Sequence, residues 1–72
     1  MFKKGQEVIR ELHGFGISRE NAIILKVVKN GVWLDNGVGN DPDGPFDPKT
    51  GWHKESVFGM RQKIVEKEQG LT

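Results

Sequence analysis

The pattern of apolar and polar positions is clearest in residues 22–36, where two apolar, β-branched runs flank Asn30 and Gly31. An Asn-Gly pair between such runs is the strongest short-range signal for a β-hairpin. Both residues can take the positive φ that a type I′ turn requires. The sequence therefore predicts a hairpin whose two-residue turn is Asn30-Gly31.

This turn determines which side chains share a face of the hairpin, because strand residues alternate between faces. The cross-strand pairs are then Lys29–Val32, Val28–Trp33, Val27–Leu34 and Lys26–Asp35. One face carries the candidate core residues Leu25, Val27, Val32 and Leu34. On the other face we expect Val28 and Trp33 to meet beside a Lys26–Asp35 ion pair.

The segments on either side predict further short strands. Residues 6–12 fit a first strand, whereas residues 13–21 predict a loop in which 18–21 form one helical turn. Two interpretations stay open for the last segment: a strand over about 58–65, or a helix on the spacing of Val57, Met60 and Ile64. We favour the strand because Gly59 interrupts the helix.

Residues 36–51 are rich in glycine, proline and aspartate, which predicts a long loop without a central strand or helix. We expect residues 45–47 to return to the core and seat Phe46 there. Residues 47–51 then predict a tight turn that Gly51 closes. A loop this long in so small a domain is either functional or partly disordered.

Length and charge limit the classes of function. The 72 residues predict one small β domain, ordered over about 5–66 with a frayed tail at 67–72. With no cysteine, neither a disulfide framework nor a cysteine zinc site is available. Eleven basic and ten acidic residues lack the strongly basic balance of a general nucleic-acid binder. The sequence shows neither a signal peptide nor a transmembrane run, so we expect a cytoplasmic protein.

The acidic loop is a candidate cation site, since Asp41, Asp43 and Asp47 supply the hard oxygen ligands that calcium prefers. The EF-hand pattern fails, because Pro42 separates the first two aspartates and no glutamate closes the loop. These residues are also ordinary turn formers. We therefore expect neither a metal nor a cofactor.

A second candidate combines aromatic and basic side chains, which stack bases and hold phosphates in nucleic-acid-binding proteins. A final strand would place Arg61 and Lys63 on one solvent face. The competing interpretation places Trp52 in the core, with the lysines keeping the sheet edges soluble. The predicted patch comprises Lys49, Trp52, His53, Lys54, Arg61 and Lys63.

Catalysis has little support in the sequence. Ser18 or Ser56 combines on paper with His13 or His53, but no nucleophile elbow or phosphate-binding glycine loop is present. So short a chain also has little room for a pocket that excludes water. We expect no enzymatic activity and no catalytic residues.

Exposed aromatic residues suggest protein binding instead, because tryptophan is a favoured interface anchor. Trp33 lies on the hairpin face opposite the predicted core. The competing interpretation is that a strongly twisted small barrel buries parts of both faces, Trp33 included. The predicted partner-binding residues are Trp33, Phe46 and Trp52, carried by the hairpin and by residues 36–54.

The order of motifs resembles the small SH3-like barrel proteins of tailed bacteriophages and prophages. The resemblance rests on Lys3-Lys4-Gly5 before the first strand, the hairpin sequence Gly31-Val32-Trp33-Leu34-Asp35, and Phe46-Asp47-Pro48-Lys49-Thr50-Gly51. It implies an all-β fold, a strongly twisted barrel of four or five strands, and for most members no assigned activity. We expect a non-enzymatic accessory protein that binds a host or phage protein in the bacterial cytoplasm. A nucleic-acid binder and a homo-oligomeric structural component are the alternatives.

Overall fold

The computed structural model describes residues 2–56 and 58–67. These residues form five antiparallel strands, in the order β4-β3-β2-β1-β5, and none of them is helical. The strands are β1 (Glu7–Gly14), β2 (Gly16–Val28), β3 (Gly31–Leu34), β4 (Asp43–Phe46) and β5 (Arg61–Glu66). The predicted last strand is confirmed, although it begins at Arg61 and not near residue 58, and the helical alternative is wrong. A frayed tail was predicted at 67–72, and residues 68–72 of it lie outside the described residues.

Strand β2 turns the sheet into a barrel. Its first half pairs with β1 from Gly14↔Gly16 to Glu7↔Ile23, and its second half pairs with β3. Because this one strand of 13 residues belongs to both halves of the sheet, the two halves curl around a common interior. The predicted all-β fold, a small and strongly curled SH3-like barrel, is confirmed.

Residues 51–54 join the two outer strands of this curled sheet. Trp52 bridges to Lys63 of β5, and His53 bridges to Phe46 of β4. The His53 amide donates to the Gln62 carbonyl oxygen at 2.8 Å, and the Asp47 amide donates to that of Trp52 at 2.7 Å. The segment therefore satisfies backbone groups on both edges, which would otherwise be open to other chains.

The core lies inside the barrel and draws on all five strands. Its fully buried side chains are Val8, Ile24, Val32, Leu34, Phe46 and Ile64. Phe2 and Ala22 pack against this cluster. The predicted burial of Phe46 is confirmed, as is the core position of Val32 and Leu34.

The predicted register of the β2–β3 hairpin is wrong by one residue. Val28 pairs with Gly31, so Lys29 and Asn30 form the turn, and neither Asn30 nor Gly31 has positive φ. An irregularity between Ile24 and Lys26 then adds one residue to β2.

That extra residue exchanges the faces of β2. Ile24 takes the core position predicted for Leu25, which is 39% exposed. Val27 lies beyond the irregularity and opposite the buried Val32, yet it is 38% exposed, so its predicted core position is also wrong. The predicted Lys26–Asp35 pair is absent, because Lys26 lies opposite Trp33 instead.

Two predicted loops contain strands. Residues 13–21 are not a loop, because β1 continues to Gly14 and β2 begins at Gly16, which leaves Phe15 at a tight tip. Residues 36–51 contain the short strand β4, in which Pro45 lacks an amide donor while its carbonyl oxygen accepts from the Lys54 amide at 3.0 Å. The predicted turn at 47–51 is confirmed, with the Gly51 amide donating to the Asp47 carbonyl oxygen at 2.8 Å.

Candidate interaction surfaces

An apolar surface lies around the tip of the β1–β2 hairpin and the turn before β5. The side chains of Phe15 and Phe58 are almost fully exposed, and Ile17 is more than half exposed. We call this region the Phe15–Phe58 surface; its residues are Leu12, Phe15, Ile17, Phe58 and Met60.

Two shallow grooves connect these side chains. The first, of about 300 Å³, runs past Phe15 and Ile17, and the second, of about 430 Å³, runs past Phe58. Leu12 and Met60 line both grooves, so the two are neighbours on the surface. Met60 packs closely on the hairpin, because a β-carbon on Gly14 would lie 3.0 Å from its Cγ.

The backbone holds Phe58 outward. Its φ of 52° is in the left-handed region, which bulky residues rarely occupy. Gly59 continues the turn with a φ of 74°. Such conformations cost free energy and collect at functional sites. An exposed aromatic ring on a strained turn is therefore a candidate binding element.

The second groove ends among acidic side chains. Arg10 donates to Asp43 at 2.8 Å and also pairs with Glu20. Burial lowers the pKa of Arg10, but its hydrogen bonds with Glu20 and Asp43 outweigh that effect and raise the pKa overall. Glu55 lines the same groove, and among the described residues its carboxylate has no ion-pair partner. Two carboxylates, those of Asp43 and Glu55, therefore line this end of the groove, and only that of Asp43 is paired with a guanidinium, which leaves this end negative.

A separate cluster surrounds Trp52 on the outer face of the β5–β1–β2 sheet. The Arg61 guanidinium carbon lies 4.2 Å from the Trp52 ring centre, and the Lys63 ammonium lies 5.2 Å from it. The His13 ring meets Trp52 edge-on at 5.1 Å. We call these four residues the Trp52 cluster: His13, Trp52, Arg61 and Lys63.

Glu11 lies next to this cluster but is already paired. His13 Nε2 donates to Glu11 at 2.9 Å, and Arg19 Nε donates to its other oxygen at 3.1 Å. The hydrogen bond from His13, with the charge of Arg19, holds the pKa of the Glu11 carboxyl below its usual value.

The structure divides the predicted nucleic-acid patch. It brings Trp52, Arg61 and Lys63 together, as predicted, while Lys49 lies in the 47–51 turn. Lys54 is directed elsewhere, because its ammonium donates to the Asn30 carbonyl oxygen.

His53 is also separate from the patch, contrary to prediction. Its ring packs edge-on against Phe46 at 4.8 Å. Nδ1 accepts a hydrogen bond from the Glu55 amide at 3.0 Å, which places the proton on Nε2, 3.4 Å from Asp43. Through His53, residues 51–54 are therefore attached to β4 in the interior of the protein.

The predicted partner-binding set needs one correction. Phe46 is completely buried, so it is not available to a partner. Trp33 is half-buried, and its indole lies over Gly31 and Gly44, within 2.7 Å and 2.8 Å of where their β-carbons would be. Lys26 lies over the same ring at 4.6 Å.

The acidic loop and the histidines have structural partners. Asp43 pairs with Arg10, and Asp47 Oδ1 accepts from the Lys49 amide at 2.7 Å. Within residues 2–56 and 58–67, no group of three or more histidine or acidic side chains is arranged to hold a metal ion. In the same ranges neither Ser18 nor Ser56 is hydrogen-bonded to a histidine.

Sequence reasoning missed Phe15, Phe58 and the role of His13. Two glycines around Phe15 gave a signal, since such a pair also marks a tight hairpin tip with its central residue outside. The exposure of Phe58 depends on a backbone conformation that the sequence pattern does not reveal.

Comparison with protein-family models, with curated proteins and with solved structures finds no match. In the described part of the chain, no helix has the length and apolar character needed to cross a bilayer.

Proposed function

We propose that this protein is a non-enzymatic interaction module that binds a protein partner through the Phe15–Phe58 surface. The observation that carries the proposal is the pair of almost fully exposed phenylalanines, each of which lines one of two neighbouring grooves. Contiguous exposed apolar patches mark interaction sites, and aromatic side chains dominate the energy of interfaces.

The chemistry of the groove indicates what the partner presents. Leu12 and Met60 form an apolar floor, and the end near Asp43 and Glu55 is negative. A partner segment with apolar side chains and an adjacent lysine or arginine complements both features. We therefore assign the binding surface to the two phenylalanine turns and the grooves beside them. The predicted 36–54 segment contributes only groove lining, from Pro42, Asp43, Gly44 and His53, whereas Trp33 and Trp52 line neither groove.

The resemblance to SH3-like barrel proteins of phages and prophages supports an accessory role inside a bacterial host. In that setting the partner is a host or phage protein in the cytoplasm. A barrel closed on both edges suits this role, because it presents turns and a groove without offering a strand edge for aggregation.

Affinity capture with single aspartate substitutions tests the proposal. We expect Phe15→Asp and Phe58→Asp each to reduce capture of a specific bacterial protein at least tenfold, because a charge in an apolar contact is costly. Val38→Asp is the matched control, since Val38 is equally exposed but lies in the loop between β3 and β4. Capture is run with nuclease and read by mass spectrometry.

The reverse pattern would contradict the proposal. Loss of the partner in Val38→Asp, with retention in both phenylalanine variants, would return the binding surface to the 36–54 loop. Sedimentation of the isolated protein addresses the homo-oligomeric alternative. We expect a monomer at all concentrations; a dimer that Phe15→Asp dissociates would make this surface a self-association site.

A further inference from the structure

The Trp52 cluster is a second site, distinct from the Phe15–Phe58 surface. Arg61 and Lys63 are two residues apart on β5, so both side chains project from the same face. On β1, the opposite residues are His13 for Arg61 and Glu11 for Lys63. Strands β1 and β5 and the adjoining residue Trp52 therefore hold two cations and two aromatic rings together.

The two cations keep their charge available. Glu11, the carboxylate opposite Lys63, is instead bound by His13 and Arg19. Across the residues that the structure describes, neither Arg61 nor Lys63 has an ion-pair partner. An anion that reaches this face meets positive charge that no protein carboxylate has neutralised.

The Trp52 ring orders one of these cations. The guanidinium of Arg61 lies over the indole at 4.2 Å, and Arg61 is exposed. A planar guanidinium held on an aromatic ring presents its outer face and its N–H donors to solvent. Nucleic-acid bases stack on such arginine planes as well as on aromatic rings.

We propose that the Trp52 cluster binds single-stranded nucleic acid. One base stacks on the Arg61–Trp52 pair, the N–H donors of Arg61 contact one phosphate, and Lys63 contacts the adjacent phosphate. The strand is single because the base must be unstacked to lie on the guanidinium. With two cations in the footprint and a net charge of only +1, binding is weak and depends on salt. This inference does not depend on the proposed protein-binding function.

Fluorescence anisotropy with a labelled oligo(dT) of roughly 12 nucleotides tests this inference, a length within known single-strand site sizes. Affinity is measured between about 50 and 200 mM salt. Two phosphate contacts predict a slope of log K against log salt of about −1.4, and each of Arg61→Gln and Lys63→Gln flattens it by about 0.7. Arg61→Gln also removes the stacking plane, so it weakens binding further than Lys63→Gln.

Lys26→Gln is the matched control, because Lys26 lies over Trp33 at 4.6 Å on a different part of the barrel. We expect it to leave the slope and the affinity unchanged. Polyglutamate of equal charge is the competitor for the alternative ligand, an acidic peptide. We expect it to displace the oligonucleotide much less effectively than unlabelled oligo(dT) does.

Three results would overturn the inference. The first is no binding at about 50 mM salt, where phosphate contacts are strongest. The second is equal weakening by Lys26→Gln and Lys63→Gln, which would reveal general charge attraction. The third is equal competition by polyglutamate, which would make the cluster a site for acidic peptides.

Discussion

Two glycines beneath the Trp33 indole replace the turn glycine that the sequence suggested. A β-carbon on Gly31 would lie 2.7 Å from Cζ3 of Trp33, and one on Gly44 would lie 2.8 Å from Cδ1 of the same ring. Gly31 is therefore required for close packing and not for positive φ. The Asn-Gly pair predicted the hairpin correctly. Gly31, however, lies in β3 opposite Val28, where it is needed for packing against Trp33 and not for the turn.

Asparagine substitutions separate these two reasons, because asparagine tolerates positive φ but has a β-carbon. We expect Gly31→Asn to lower the free energy of unfolding by about 1–3 kcal/mol through overpacking. Gly39 has a φ of 82° and open space around it, so Gly39→Asn should cost less than about 1 kcal/mol. Urea denaturation measures both, and equal costs would contradict the packing explanation.

Asp47 stabilises the 47–51 turn, which leads into the residues that join the two outer strands, 51–54. Its carboxylate accepts hydrogen bonds from the backbone amides of Lys49 and Thr50, and these hold its pKa below the usual value. A carboxyl with a lowered pKa in the folded state stabilises the protein above its unfolded pKa of about 3.9. The contribution disappears as the pH falls through the lower, folded value.

Melting temperatures of the wild type and Asp47→Asn should therefore converge in acid. At pH 7 we expect the variant to melt at a lower temperature, because the charge that strengthens the amide hydrogen bonds is gone. Below about pH 4 the difference should shrink as Asp47 itself becomes neutral. A difference that stays constant down to pH 2 would show that the charge contributes nothing.

Strand β2 shows what periodicity predicts and what it does not. Alternation identified a strand and its partner, but one inserted residue after Ile24 exchanged the inward and outward faces. A bulge has no reliable signal in an apolar run such as 22–28, where either face is apolar enough to be buried. For this reason the sequence predicted Leu25 in a core position that Ile24 occupies.

Paired alanine substitutions test the observed register of β2. Ile24→Ala should lower the free energy of unfolding by about 2–4 kcal/mol, because it opens a cavity in the core. Leu25→Ala should cost less than about 1 kcal/mol, since Leu25 is 39% exposed. Denaturant unfolding of both variants gives the comparison, and a larger loss for Leu25→Ala would restore the register without a bulge.

The hairpin between β1 and β2 shows the same limitation in its turn. Gly14 and Gly16 were interpreted as loop residues, yet they let the chain reverse in one step and place Phe15 at the tip. The 47–51 turn was predictable, because an aspartate, a proline and a closing glycine act locally. The sequence therefore predicts the turn at 47–51 from local residues, but it does not predict the lengths of the paired strands β1 and β2.

In the whole molecule, both candidate sites depend on contacts between residues distant in sequence. The Trp52 cluster was partly predictable, since Arg61 and Lys63 alternate on one strand beside Trp52. Its His13 comes from β1, and only the strand pairing brings it to that face. The Phe15–Phe58 surface joins two turns more than forty positions apart, which no local pattern reveals.

The closed barrel leaves the Phe15–Phe58 surface outside its core. Residues 51–54 occupy the gap between β4 and β5, and the six core side chains fill the interior. Phe15 and Phe58 lie outside that core, so their apolar area stays in water unless a partner covers it. The binding function proposed for this protein follows from that uncovered area.

Amide hydrogen exchange of the protein, alone and with its captured partner, tests this function most directly. We predict slower exchange in the complex at residues 12–17 and 58–62, with residues 36–40 unchanged. Protection confined to residues 36–40, with none at the two phenylalanine turns, would contradict the assignment of the Phe15–Phe58 surface as the binding site.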